Sequence, residues 1–443
     1  MFENIIGQPI IERIKDDITG GVFAPSVLFA GPACSGKFTA ALELARILSC
    51  TENALWNCTC PSCAYHKTLS SSDLLIIGSR NFCAEIIAAK DAFLHDQNTP
   101  STKIFFLRQI KKLVLRFGAD ITKDDPKISK LNPLLEIINE DMEELFFLAN
   151  EQDNTDKKTA DKIVKLSDKL VKNLIKLESD GISDTIPVLH IRNVSYWLRL
   201  KPSGKKKTLI IENADRMQDA SRNSLLKILE EPPATAQIIL TTEKPQTILP
   251  TLLSRLRPYQ FSKRTAQAES EIIRRVFKDT SQIIQAENNL TSYLDKFLPV
   301  SPGTLYSLAA YFWSVVSSNS KKPCRTAIYE LLALINAYCT PIASEGGFPT
   351  EDTQTKTAAA IILKASDNFS QRNSLNIFLA ALCSLISKPL LSSKKYAEGI
   401  PLREAVLQCT EQTRIAYEIY KQNAAMAVDR LFTDLKISIE RFD

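Results

Sequence analysis

The sequence predicts a parallel α/β phosphate-loop domain that continues into helical domains. A glycine-bearing segment at residues 31–37 joins an apolar run to a stretch with helical spacing. Two further apolar runs each end in polar residues, and the last third of the chain shows only helical spacing. Strands that alternate with helices form parallel sheets. At 443 residues the chain is long enough for two or three domains.

Composition sets the class of protein. Hydrophobic residues make up 44% and charged residues 24% of the chain, as in ordinary globular proteins. No apolar run approaches a membrane span, and the N-terminus lacks the basic and apolar regions of a secretory signal. We therefore expect a cytoplasmic protein without membrane contact. The net charge of +5 permits nucleic-acid binding without arguing for it.

The first element is a strand, a loop and a helix. Residues 26–31 read SVLFAG, and residues 36–48 have helical spacing. In this context the N–H groups of the loop face an anion. The phosphate-loop pattern then fails at Phe38, which stands where a hydroxyl should hold Mg²⁺, and Thr39 comes one residue late. The candidate nucleotide-binding residues here are Gly31, Ser35, Gly36, Lys37, Phe38 and Thr39.

Four of the ten cysteines fall within fourteen residues, at Cys50, Cys58, Cys60 and Cys63. In a reducing compartment such a cluster is typical of a metal site, and zinc takes four soft ligands in a tetrahedron. We predict a structural Zn²⁺ module over residues 50–66. The alternatives are thiols that are close by chance, or a site in which His66 replaces one cysteine.

Two later strands complete the predicted sheet. The run from Thr208 to Ile211 ends in Glu212–Asn213, where active phosphate-loop enzymes carry a carboxylate for Mg²⁺ and a second one for water. Glu212 could still reach a metal, whereas Asn213 cannot act as a carboxylate base. The strand at 236–242 ends in two hydroxyls, of which Thr241 is a further candidate for nucleotide contact.

Residues 223–261 contain L-L-K-I-L-E-E-P-P followed by an S-R pair. Residues 2–32 lead into the phosphate loop and include its first two residues. Together these stretches resemble the bacterial clamp-loader subunits of DNA polymerase III, the gamma/tau and delta-prime AAA+ proteins. The resemblance covers about residues 1–75 and 190–310. It implies a zinc module after the loop helix, a helical lid, and an all-α collar that holds a hetero-oligomer together.

The resemblance also assigns roles to single residues. Ser254 and Arg255 match the S-R motif, which supplies an arginine finger to the ATP site of a neighbouring subunit. Leu256 replaces the usual third residue, a cysteine. Tyr306 stands where active motors carry a lid arginine. By this resemblance, the chain's own ATP site lacks residues that hydrolysis needs, whereas the arginine finger for the ATP site of a neighbouring subunit is present.

The resemblance implies a delta-prime-like stator that does not hydrolyse ATP, although residual nucleotide binding through Lys37 stays open. As part of the DNA-directed DNA polymerase III holoenzyme, it would work with gamma/tau and delta subunits, a sliding clamp and primer–template DNA. An active gamma/tau-type motor is the alternative, and an AAA+ protein outside replication is a more distant one. Phe38 is expected to pack inward and to block Mg²⁺.

The predicted domains are an AAA+ domain at 1–262, a helical lid at 263–316, a hinge at 317–325 and a collar at 326–443. The amphipathic helices predicted for the collar include 325–339, 374–386 and 424–442. The resemblance is interrupted by a helical insertion at about 81–186, for which we predict two or three helices packed on each other or on the core. The first and third helices are basic and the second is acidic. The insertion is either an elaboration without separate function or a docking arm for a partner or DNA.

Overall fold

Five parallel strands form a single sheet. They are β1 (Ser26–Ala30), β2 (Leu74–Gly78), β3 (Lys207–Glu212), β4 (Ala236–Thr242) and β5 (Arg257–Gln260). Their order across the sheet is β2–β3–β4–β1–β5. This computed structural model confirms the predicted parallel α/β sheet. The strands at 26–31, 208–211 and 236–242 lie where the sequence placed them, and β2 and β5 are additional strands that it did not predict.

The structure describes residues 1–96, 99–149, 157–183, 185–279, 289–298, 396–418 and 424–442, with shorter stretches at 306, 309–310, 312–313, 316, 375 and 377–385. The chain divides into two compact units, Met1–Phe297 and Leu298–Asp443. No helix among these residues is long and apolar enough to cross a membrane.

The sheet register decides where functional side chains meet. Ser26 of β1 lies beside Ile238 of β4 and Val27 lies beside Arg257 of β5, so the strands start together. The phosphate loop follows β1, and Glu212 ends β3, so both lie at the carboxyl edge of the sheet. Ligand sites of open parallel sheets form at that edge.

Fourteen helices are described in the first unit. They are α1 (Ile10–Thr19), α2 (Lys37–Ser49), α3 (Pro61–Lys67), α4 (Cys83–His95), α5 (Pro100–Val114), α6 (Ala119–Thr122), α7 (Pro126–Ser129), α8 (Asn132–Leu148), α9 (Lys157–Gly181), α10 (Val188–Leu198), α11 (Asp219–Glu230), α12 (Pro250–Leu253), α13 (Ala266–Val276) and α14 (Leu290–Asp295). Short 3₁₀ turns span Leu115–Phe117, Ala214–Arg216 and Pro245–Thr247.

The insertion holds more helices than the two or three predicted. The described part of residues 81–186 contains α4 through α9, in which α5, α8 and α9 match the three amphipathic segments. The insertion shares one apolar core with the sheet and the loop helix, because Phe38 and Leu44 belong to the same buried cluster as Phe106, Ile138 and Leu170. It therefore packs on itself and on the core.

The second unit is helical where it is described. It contains α15 (Tyr396–Glu418) and α16 (Ala424–Phe442), and the latter coincides with the predicted helix at 424–442. Its buried cluster includes Trp313, Phe378 and Leu431. The predicted helix at 325–339 and the hinge at 317–325 lie outside the described residues. The limits of the lid and collar stay predictions.

Candidate functional site

The phosphate loop bonds to itself. Gly36 adopts the left-handed region at φ 91° and caps the N-terminus of α2. Lys37 Nζ donates to the carbonyl oxygens of Gly31 at 2.6 Å and Pro32 at 2.5 Å, and to Ser35 Oγ at 3.3 Å. Burial lowers the pKa of Lys37 to about 8. The ammonium that would meet a phosphate is thus turned onto its own loop.

Arg264 also lies against this loop, although no motif in the sequence indicated it. Its guanidinium donates to the carbonyl oxygens of Cys34 and, at 3.0 Å, of Ile6. A Cβ placed on Gly36 would collide with the same guanidinium. Glycine is favoured at position 36 because any other residue would be strained at this φ, and a larger residue would also displace the Arg264 guanidinium.

Phe38 packs inward, as expected. It is 5% exposed, and its ring centre lies 6.0 Å from that of Phe82. The guanidinium carbon of Arg80 and the Nζ atom of Lys112 each lie 5.6 Å from the centre of the Phe38 ring, a cation–π distance. An aromatic ring surrounded by cations stands where a hydroxyl would hold Mg²⁺. Thr39 is the next, half-buried residue of α2.

Both carboxylate oxygens of Glu212 are bonded to arginines. The side chain is 2% exposed, Arg80 donates to Oε1 at 3.1 Å, and Arg116 donates to Oε2. Arg116 also donates to the carbonyl of Gly78 at 2.7 Å, and its guanidinium carbon lies 4.6 Å from the Phe82 ring centre. Arg80 and Arg116 were not predicted as site residues.

The residues around Glu212 do not fit a magnesium ion. Mg²⁺ requires oxygen ligands at short distances, whereas the one candidate carboxylate already holds two guanidiniums. Lys112 adds a third cation nearby, and burial lowers its pKa to about 7. Asn213 begins the adjacent 3₁₀ turn in the left-handed conformation (φ 51°, ψ 52°). A divalent cation would therefore meet positive charge where it needs ligands.

Of the two threonines at the end of β4, Thr241 is buried within the sheet and Thr242 is hydrogen-bonded within the protein. Thr241 is buried within the strand, beside Phe29 of β1. Thr242 Oγ1 donates to Asp215 Oδ1 at 2.6 Å, and the Thr242 carbonyl accepts the Gly31 N–H at 3.1 Å. These bonds tie the end of β4 to the phosphate loop.

The four cysteines of the predicted zinc module come together. The sulfur atoms of Cys50, Cys58, Cys60 and Cys63 all lie within 4.8 Å of one another and are buried. Two of the separations are 3.7 Å (Cys50–Cys58) and 3.8 Å (Cys50–Cys60). A tetrahedron of thiolates about 2.3 Å from zinc has edges of about 3.8 Å. The cluster could therefore bind a metal.

Neighbouring groups suit thiolates at this cluster. Cys50 Sγ accepts the backbone N–H groups of Glu52 at 3.3 Å and Ala54 at 3.2 Å. Arg46 donates to Cys63 Sγ at 3.0 Å and is paired with buried Glu43 at 2.6 Å. His66 is not one of the four clustered groups.

Arg255 lies at the other edge of the sheet. It precedes β5, whose first residue, Arg257, pairs with the start of β1, so a strand length separates it from the phosphate loop. Its side chain is 32% exposed and bonds Glu230 at 2.8 Å and the Thr251 carbonyl at 2.6 Å. Ser254 beside it is exposed. Tyr306, at the predicted lid position, is 40% exposed.

The fold and the site define a phosphate-loop α/β protein with an altered metal position. A family model described as DNA polymerase III, delta subunit, matches residues 135–265. DNA polymerase III subunit delta' of Bacillus subtilis (strain 168) is 46% identical over 56 residues, which are 13% of this chain and 17% of that protein. Subunit tau of the same organism is 33% identical over 117 residues, 26% of this chain and 20% of that protein.

Two further likenesses were found. Subunit delta' of Escherichia coli (strain K12) is 44% identical over 54 residues, 12% of this chain and 16% of that protein. A crystal structure of a DNA polymerase III gamma subunit-related protein from Thermotoga maritima covers 63% of this chain and 90% of its own. Its identity of 17% and TM-score of 0.30 are too low to add support.

These sequence matches confirm the resemblance of the chain to the clamp-loader subunits of DNA polymerase III. The chain spans a fifth or less of the delta' and tau relatives, by the shares of 17%, 20% and 16%. The delta' and tau types are both among the relatives.

Proposed function

We propose that this chain is a non-hydrolysing, delta-prime-type subunit of the DNA polymerase III clamp loader. It would help load a sliding clamp on primed DNA in the cytoplasm, within a hetero-oligomer that includes gamma/tau and delta subunits. One observation carries the proposal: Glu212, the carboxylate that should serve Mg²⁺, is buried and bonded through both oxygens to Arg80 and Arg116.

Without a metal position, the chain's own site is expected to lose ATP hydrolysis. Phosphoryl transfer depends on metal ions that bridge the phosphates and neutralise developing charge. Removing such electrostatic stabilisation costs orders of magnitude in rate. With Phe38 in place of the hydroxyl and Glu212 held by arginines, the chain's own site has neither ligand to offer.

Arg255 is the residue that we assign to catalysis in a neighbouring subunit, with Ser254 beside it. A guanidinium supplied in trans stabilises the charge on the transferred phosphoryl group. Its partial exposure and its place at the amino edge of β5 support this role, because a finger must reach out of its own subunit. Glu230 would release it on assembly at small cost, since exposed ion pairs contribute about 0–1 kcal/mol.

An active gamma/tau-type motor is the second candidate. It is favoured by the intact Gly31–Lys37 loop pattern and by the 33% identity to subunit tau. Under this alternative, Arg80 and Arg116 must leave Glu212 when Mg²⁺ and ATP bind.

ATP turnover by the purified chain separates the two candidates. We expect no turnover above background and no difference between the wild-type chain and Lys37→Ala. Turnover of order one per second, in the usual enzyme range, that is lost in Lys37→Ala would establish the motor instead.

We also propose that the cysteine cluster holds one structural Zn²⁺. The supporting observation is the pair of sulfur separations near 3.8 Å. Metal analysis of protein purified without chelator should give one zinc per chain. Absence of zinc together with four freely titrating thiols would refute the assignment.

A further inference from the structure

One of the two arginines at Glu212, Arg116, comes from the helical insertion, and so does the nearby Lys112. Lys112 lies on α5, and Arg116 lies on the 3₁₀ turn that follows it. Arg116 is 4% exposed, so its guanidinium is fully within the protein. Within the insertion, Glu178 of α9 accepts the N–H of Phe82 at 2.6 Å. The turn that follows α5 thus reaches the degenerate nucleotide site, and α9 holds the start of the insertion beside it.

We propose that the insertion is a built-in replacement for the metal ion, in which Arg116 serves as the permanent counter-cation of Glu212. This inference rests on the proposed function, since it explains how a site without magnesium keeps its carboxylate. It gives the insertion a role within this chain, other than docking a partner or DNA.

The argument starts from the cost of a buried charge. A carboxylate that is 2% exposed requires a cation or hydrogen-bond donors in place of water. A planar guanidinium donates in a fixed fork and stays charged, which a lysine does less well when buried. Arg116 uses this fork for Glu212 Oε2 and the Gly78 carbonyl, and so joins the ends of β3 and β2.

The replacement is part of the fold and not a mobile gate. The turn that carries Arg116 follows α5 directly, and α5 is fixed in the core by Phe106, Ile110 and Leu113, which are fully buried. Arg80 differs in this respect, because its side chain is 31% exposed and is shared with Glu85. We therefore assign the essential pairing to Arg116 and a supporting one to Arg80.

A double-mutant cycle on the full chain tests the pairing. Arg116→Met and Glu212→Gln each leave a buried partner unpaired, so each should lower Tm by roughly 5–8 °C. The double variant should lose clearly less than the sum of the two, because both charges are gone. Arg80→Met is the matched control and should lose less than Arg116→Met. Additive losses for Arg116 and Glu212 would overturn the proposal.

A second measurement uses the unmodified protein. Because a ligand that binds only the folded state raises Tm, Mg²⁺ alone and Mg²⁺ with ATP should leave Tm of the wild-type chain unchanged. A rise with Mg²⁺ would show that the cation position is open and would contradict the proposal. If Arg116→Met does not fold, the uncharged Arg116→Gln replaces it in the cycle, and additive losses there would overturn the proposal in the same way.

The outcomes separate this inference from the proposed function. ATP hydrolysis by the chain would contradict the stator function and, because Arg116 would then have to leave Glu212, the permanent pairing as well. An uncoupled pair in a chain that hydrolyses no ATP would contradict the counter-cation and support the stator.

Discussion

Phe38→Thr restores the hydroxyl that the phosphate-loop pattern lacks, and it should not restore an ATPase. The variant completes G-x-x-x-x-G-K-T at residues 31–38. Glu212 would remain bonded to Arg80 and Arg116, so one of the two ligands that Mg²⁺ needs would still be missing. The new hydroxyl would also lie among cations.

The substitution should lower the free energy of unfolding, and the burial of Phe38 determines the size of that loss. Phe38 is 5% exposed and contacts the Phe82 ring and two cations. Truncating a buried phenylalanine costs about 3–5 kcal/mol, and threonine recovers little because it brings a hydroxyl into an apolar contact. Tm should fall by roughly 5–8 °C.

Phe93→Thr is the matched control, because Phe93 is fully buried in the same cluster and stacks on Phe106 rather than on the loop. Thermal melts and ATP turnover should be measured for both variants. We expect comparable losses of stability and no turnover in either. Turnover of order one per second by Phe38→Thr alone would show that the site lacked only a hydroxyl, and the reasoning from Glu212 would be wrong.

Two further predictions concern Lys112 and the cysteine cluster. Burial lowers the pKa of Lys112 from 10.5 to about 7, so between about pH 7 and 10 the unfolded chain binds more protons and stability rises with pH. Lys112 contributes up to about 1.4 kcal/mol per pH unit to that rise, and Lys112→Met should remove it. Equal slopes of urea-unfolding free energy against pH in both proteins would contradict this. Cys60→Ser should abolish zinc binding and lower Tm, whereas Cys34→Ser, outside the cluster, should change neither, because metal binding contributes folding free energy. A Cys60→Ser chain that retains one zinc would refute the ligand assignment.

The sequence predicted a strand correctly where a single short segment contains the whole pattern. β1, β3 and β4 contain continuous apolar runs, as buried parallel strands do, and the run is followed by glycine in β1 and by polar residues in β3 and β4. β5 was missed because R-P-Y-Q at 257–260 is an edge strand with only Tyr259 buried. α4 was missed because its apolar residues are spread around the helix.

The site itself was only partly predictable. The phosphate loop, Glu212 and the four cysteines can be predicted from residue type and spacing. The arginines do not, because Arg116 and Glu212 are 96 residues apart and Arg80 and Glu212 are 132 apart. An arginine in an amphipathic helix resembles any surface cation until tertiary packing gives it a partner. The role of the insertion therefore becomes visible only in three dimensions.

The central claim is that this chain acts on a neighbour's ATP and not on its own. The most direct test is the DNA- and clamp-stimulated ATPase of the reconstituted clamp loader, with Arg255→Ala and Lys37→Ala compared in the same assembly. Arg255 is partly exposed and its ion pair with Glu230 is a surface pair, so Arg255→Ala should leave Tm of the isolated chain nearly unchanged. An arginine finger contributes about 10³ or more in rate at the site where it acts, and one site among several shows less in bulk turnover. Arg255→Ala should lower the stimulated ATPase while Lys37→Ala changes it little. Loss of activity in Lys37→Ala with full activity in Arg255→Ala would make this chain the motor and contradict the account.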